Sequence, residues 1–242
     1  MQIAKILEIL NSISPFELQE SWDNCGLILG ECNAEFKQIY LSLEVTYGIL
    51  EQMECNSLLI THHPLIFSPL KQLNFAQYPA KLLRLAIQKN IQLIAMHTNF
   101  DKTHFGEYVT RKILGIQAYT KQDFLIRFVW QDSIESLCAR VKERFHLDFL
   151  KFTESNHKSV QNVALITGSG GSFIHNLSGI DCLITGDVKY HEAMEAQALG
   201  VNVIDCGHYE LERYFGEILS PFLTNYGYKA IMLTSQNPFN FV

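Results

Sequence analysis

Short apolar runs, many of them β-branched, recur along the chain with stretches of helical period between them. The runs predict strands at residues 39–43, 58–61, 91–96, 160–166, 182–185, 201–205 and 229–233, each too short for a helix. Apolar residues three and four apart predict helices at 2–12, 46–55, 79–89, 104–114, 133–144, 173–177, 191–199 and 211–223. Alternation of the two implies an α/β fold: mostly parallel strands with helices packed on the sheets. The stretch from about 120 to 160 breaks the rhythm. There 124–130, a helix and 145–152 read as strand, helix, strand, and a second lobe is placed from residue 118. At the N-terminus Ile3, Ile6, Leu7 and Leu10 fall on one helix face, which is not the pattern of a signal peptide, and no apolar stretch reaches the length of a membrane span.

Several predicted strands end in a polar or glycine-rich cluster. Open α/β sheets bind ligands beyond the carboxyl ends of their strands, so a site is expected there. Charge narrows what it binds. Lys plus Arg is 19 against 25 Asp plus Glu, a net −6 with no basic run, which leaves no electrostatic footprint for nucleic acid or an anionic membrane. At 48% hydrophobic and 18% charged the composition is globular. Cys25, Cys32, Cys55, Cys138, Cys182 and Cys206 form no C-x-x-C pair; the expectation is reduced thiols in a cytoplasmic protein.

The chemistry concentrates in three clusters. LLITHHPLIF, residues 58–67, sets His62 and His63 side by side at the end of a buried strand. Neighbouring side chains on a strand point to opposite faces, so both serve one site only if the strand stops there. Pro64 favours that stop, since it forces an extended His63 and cannot continue the ladder. HTNFD, residues 97–101, places His97 and Asp101 in a turn, where a helix cap competes with a ligand role for the aspartate. GHYELE, residues 207–212, spaces His208 and Glu212 four apart, on one face of a helical turn. Together the clusters offer His62, His63, Asp101, His208 and Glu212. That is too many ligands for one tetrahedral zinc and about right for two divalent metal ions sharing a carboxylate and a water. Zn, Fe, Mn and Ni all suit such a mixed set.

His97 and His191 flank these ligands as candidate catalytic proton carriers, or as hydrogen-bond supports to the ligands. Gly168-Ser169-Gly170-Gly171 reads as a tight turn rather than a phosphate cradle, lacking the lysine of a P-loop. Trp22-Asp23-Asn24 reads as a turn with a buried aromatic. His104, His146, His157 and His175 show no partner in the sequence.

The segments SWDNCGLILG, ITHHPLIF, HTNFD, ITGDVKYHEA and GHYELE, in this order from Trp22 to Glu212, resemble the NGG-interacting-factor-three-like family of dinuclear-metal proteins. Its members often carry the name GTP cyclohydrolase I type 2 homologue. The resemblance implies His62, His63, Asp101 and His208 as metal ligands with Glu212 bridging. It also implies two α/β lobes, the second inserted between Asp101 and His208, and a homohexameric ring; with the second lobe placed from residue 118, the expected division is a metal-binding α/β lobe of residues 1–117 and 205–242 and an inserted α/β lobe of 118–204.

Two readings of function follow. In the first, a metal pair acidifies a water and the chain is a hydrolase; the resemblance suggests a small-molecule substrate, the purine ring of GTP, and a dimetal phosphoesterase would use the same ligands. In the second, the chain is a non-enzymatic metal protein, a chaperone, buffer or scaffold. The middle region carries Phe124, Phe128, Trp130, Phe145, Phe149 and Phe152, more aromatic surface than a small lobe readily hides. Some are expected at an interface between copies, the rest against the lobe's own helix.

Overall fold

The computed structural model describes residues 1–155 and 159–240, so His157 lies outside the described residues. The chain divides into two compact units, Met1–Phe100 with Arg213–Val242, and Asp101–Glu212.

The first unit holds a five-stranded sheet in the order β1-β4-β3-β2-β11. Its strands are β1 (Gly26–Leu29), β2 (Ile39–Ser42), β3 (Leu58–Thr61), β4 (Gln92–Ala95) and β11 (Ala230–Met232). The run β4-β3-β2-β11 is parallel, and β1 closes one edge antiparallel to β4. Every residue of β2, β3 and β4 is buried, which is why these strands read as unbroken apolar runs without alternation. Helices α1 (Ile3–Ile13), α2 (Tyr47–Gln52), α3 (Ala80–Gln88), the short α4 (Thr98–Phe100) and α9 (Phe215–Asn225) complete the unit. In α1, Ile3, Ile6, Ile9 and Leu10 bury one stripe. Thr46 starts α2 by accepting a hydrogen bond from the Ile49 N–H.

The second unit holds a six-stranded sheet in the order β5-β6-β8-β9-β10-β7. Here β5 is Tyr119–Gln122, β6 Leu125–Ser133, β7 Lys151–Thr153, β8 Ser159–Leu165, β9 Cys182–Thr185 and β10 Asn202–Asp205. Only β8-β9-β10 run parallel; β5, β6 and β7 join antiparallel. The expectation of mostly parallel strands therefore holds for the first sheet and fails for the flanks of the second. For β5 and β6 the cause is local: Asp123, at a left-handed φ of 50°, turns β5 directly into β6, and a two-residue reversal permits no parallel crossover. The helices are α5 (Gly106–Tyr108), α6 (Ile134–Phe145), α7 (Tyr190–Ala198) and α8 (His208–Glu212).

The boundaries between units differ from the expected 117/118 and 204/205. Residues 101–117 belong with the second unit because they pack on its sheet. A Cβ on Gly106 would lie 2.8 Å from Ile126, and Arg140 donates to the Leu114 carbonyl at 2.8 Å. Residues 205–212 continue from β10 of the same sheet. The helix expected at 104–114 is present as one unbroken helical run over 101–113, in which α5 lies between two π-helical stretches, Asp101–Phe105 and Val109–Ile113, and Asp101 is itself helical rather than a cap. The helix expected at 211–223 is two, α8 and α9. Of the strand expected at 145–152 only the end is strand, in β7, since Phe145 ends α6 and His146 turns the chain at a φ of 57°. Of the aromatics assigned to this region, Phe128 and Phe145 are buried within the unit, whereas Phe149 and Phe152 are exposed. Among the described residues no helix is long and apolar enough to cross a membrane.

Candidate metal centre

In the first unit, parallel pairing sets the ends of β3 and β4 level, with Thr61 opposite Ala95. The chain leaves both strands at the same edge, delivering His62 and His63 from one and His97 from the other. The Thr61 hydroxyl donates to the His63 carbonyl at 2.9 Å and turns the chain. That turn is how two adjacent imidazoles come to one side, with ring centroids 4.7 Å apart. The His97 ring stands 5.0 Å from His62 and 5.3 Å from His63. One ligand nitrogen from each of the three lies within 4.8 Å of the others, a group able to hold a metal ion.

Each of these imidazoles is oriented through Nδ1. His62 Nδ1 donates to the Met96 carbonyl at 2.8 Å, His63 Nδ1 to Glu44 Oε1 at 2.5 Å, and His97 Nδ1 to Asp23 Oδ1 at 2.8 Å. Carbonyl and carboxylate oxygens only accept, so the proton sits on Nδ1 and the lone pair of the neutral ring on Nε2. This is how metal-binding histidines are held. Burial alone would raise the Asp23 carboxyl, but hydrogen bonds from His97, Thr98 and Cys25 outweigh it and hold the group well below its ordinary range. Burial, reinforced by the Asp23 charge, pushes the neighbouring Cys25 thiol up to about 12.

In the second unit, β8, β9 and β10 also end together. His208 and Glu212 lie at the two ends of α8, one turn apart, with His208 Nε2 2.8 Å from Glu212 Oε2. His208 Nδ1 donates to Asp187 Oδ2 at 2.7 Å. A carboxylate oxygen of Asp101 lies within 4.8 Å of one from Glu212, and Asp101 accepts from the Thr167 hydroxyl at 3.2 Å. The glycines after these strands are explained by crowding. A Cβ on Gly168, at a φ of +67°, would stand 2.5 Å from Glu212 Oε1, and one on Gly186 would stand 2.6 Å from the His208 backbone nitrogen. The Gly168–Gly171 segment is thus a packed turn, pinned by the Gly170 N–H donating to Thr185 Oγ1 at 2.7 Å.

Within each unit, then, the residues singled out in the sequence come together: His62, His63 and His97 in one, Asp101, His208 and Glu212 in the other. His191 joins neither group. It is exposed near the start of α7, its ring 5.3 Å from that of Tyr190. Glu44 carries no local signal in the sequence; Asp187 stands in a polar cluster after a predicted strand, but nothing there assigns it to His208. The Trp22-Asp23-Asn24 turn was misjudged from the sequence. Asp23 is the buried partner of His97, while Trp22 is 56% exposed.

The donor types fit a divalent transition metal: imidazole nitrogens and carboxylate oxygens, with oriented tautomers. The Duf34/NIF3 (NGG1p interacting factor 3) profile matches residues 1–238. A Campylobacter jejuni protein named GTP cyclohydrolase 1 type 2 homolog is 42% identical over 241 residues, covering 100% of both chains. A Helicobacter pylori (strain J99) protein named GTP cyclohydrolase 1 type 2 is 42% identical over 241 residues, covering 99% of each. The crystal structure of Staphylococcus aureus protein SA1388 superposes with a TM-score of 0.87 at 24% identity, covering 100% of this chain and 99% of that one, a likeness of fold. The match along nearly the whole length and the level of identity make this chain a member of the Duf34/NIF3 family.

Proposed function

We propose that the chain is a metal-dependent hydrolase that opens the ring of a purine nucleotide. The observation that carries this reading is the three-imidazole group after β3 and β4, each ring fixed through Nδ1. In this reading the residues that would hold two divalent ions are His62, His63, Asp101, His208 and Glu212. When bound, the ions acidify a water and polarise the ring under attack. The chain's own residues orient and move protons. Met96, Glu44 and Asp187 hold three ligand imidazoles in one tautomer. His97 Nε2 takes and returns a proton, and Asp23 stabilises the imidazolium that forms. The substrate class is supported by the names of the Campylobacter and Helicobacter relatives.

The test is anaerobic purification with metal analysis, followed by turnover assays on nucleotides and phosphoesters. We expect about two ions per chain and loss of most of them in the His63→Ala, Glu212→Ala double variant, with unchanged circular dichroism. A double variant that keeps its metal would sink the ligand assignment. His97→Ala should lose far more turnover than metal; equal losses would make His97 a ligand. A metal-loaded chain that turns over none of these substrates would be a metal-carrying protein instead.

A further inference from the structure

Two large aromatic rings are half-exposed beside the imidazole group: Trp22 at 56% and Phe67 at 52%. Their centroids are 5.7 Å apart, tilted by 49°, and each stands 6.1 Å from the His97 ring, nearly edge-on. Neither ring is left to chance. Asn24 Nδ2 donates to the Ile66 carbonyl at 2.6 Å, latching the turn that carries Trp22 to the segment that carries Phe67. Asp23, next to Trp22, is fixed by His97 and by the Thr98 N–H at 3.0 Å. The Cys25 N–H donates to Gln19 Oε1 at 2.8 Å. The backbone from 23 to 25 is thus pinned around an aromatic side chain that it leaves in solvent.

We propose that Trp22 and Phe67 form a stacking platform for the planar base of a purine nucleotide, placing its ring against His97. Exposed aromatic faces bind bases of any sequence because every base has a π-face, and such stacks are preorganised when the ring is held in advance. Stacking also supplies what charge does not, since a chain of net charge −6 exerts no overall attraction on a polyphosphate. The inference rests on the proposed function for the choice of a purine, and it makes Trp22 a determinant of affinity for the base at that site.

Fluorescence titration of the metal-loaded protein tests it. Trp22 and Trp130 are the chain's two tryptophans, so subtracting the Trp22→Phe signal isolates Trp22. The probes are GTP, guanosine and tripolyphosphate, which lacks a base. We expect GTP and guanosine to quench Trp22 and tripolyphosphate to leave it unchanged. By isothermal calorimetry, Trp22→Leu should weaken GTP about tenfold and Trp22→Phe much less, with tripolyphosphate affinity the same in all three. No quenching by either purine, equal quenching by tripolyphosphate, or unchanged GTP affinity in Trp22→Leu would overturn the proposal. So would a Trp22 signal that follows protein concentration and ignores nucleotide, which would assign the rings to an interface between copies. Binding is read without turnover, so failure of the stacking site and failure of the hydrolase reading are separate results.

Discussion

Either nitrogen of an imidazole can carry its proton, and the acceptor set behind the ring decides which. Behind His97 that acceptor is Asp23, whose side chain is shut away from solvent and which also accepts from the Thr98 N–H and hydroxyl. Asp23→Asn keeps the shape but removes the charge that stabilises a protonated His97, and the amide can present its NH2 to Nδ1 and reverse the tautomer. We expect turnover to fall about 10- to 100-fold with metal content near that of the parent chain, as read by parallel assay and elemental analysis. Loss of metal in step with turnover would show instead that Asp23 supports a ligand. The histidines themselves were legible in the sequence, because paired imidazoles after a buried run have few structural uses. The roles of Glu44 and Asp187 were not. Each touches its histidine only once the chain is folded; Glu44 stands in no pattern, and the strand-end cluster that holds Asp187 does not name its partner.

Among the elements, the fully buried strands were the readable ones: β3 and β9 fall where their apolar runs predicted. The pieces that escaped were β1 and β5, four residues each and only partly buried, where period and length carry little weight. The π-helical turns after Asp101 were also invisible, since their widened spacing differs little from α-helical spacing over one or two turns. They place His104 near Lys121 and Glu107. Burial first, then the Lys121 charge, lowers this histidine to about 4 from 6.5, against a smaller opposing effect of Glu107. Between those values the unfolded chain binds a proton at this position that the folded chain does not. Stability should therefore be greatest above pH 6.5 and decline as pH falls toward 4. We expect His104→Gln to flatten that decline by about 2 kcal/mol, allowing for the group's partial exposure. Denaturant melts of both chains across the window decide it, and parallel declines would refute the assignment.

Over the whole molecule, the exposed Phe149 and Phe152 flank or lie on the edge strand β7, an arrangement that soluble chains usually cover or blunt. We propose that further copies of the chain cover it, in the ring expected from the sequence resemblance. Light scattering should return a multiple of 27.7 kDa, and a Phe149→Ser, Phe152→Ser chain should run smaller with the same circular dichroism. A parent mass of 27.7 kDa at micromolar concentration would exclude the ring. The division of the chain has a consequence of another kind. The first unit is built from two separated stretches, and β11 and α9 come from the second. On the ribosome, β2 must wait beside an absent neighbour while all of Asp101–Glu212 is translated. At about 5–20 residues per second that wait is on the order of ten seconds. The middle of the chain has every residue it needs to fold first, and the nascent first unit spends the interval with an open, apolar sheet edge, the kind of surface that makes chaperones necessary.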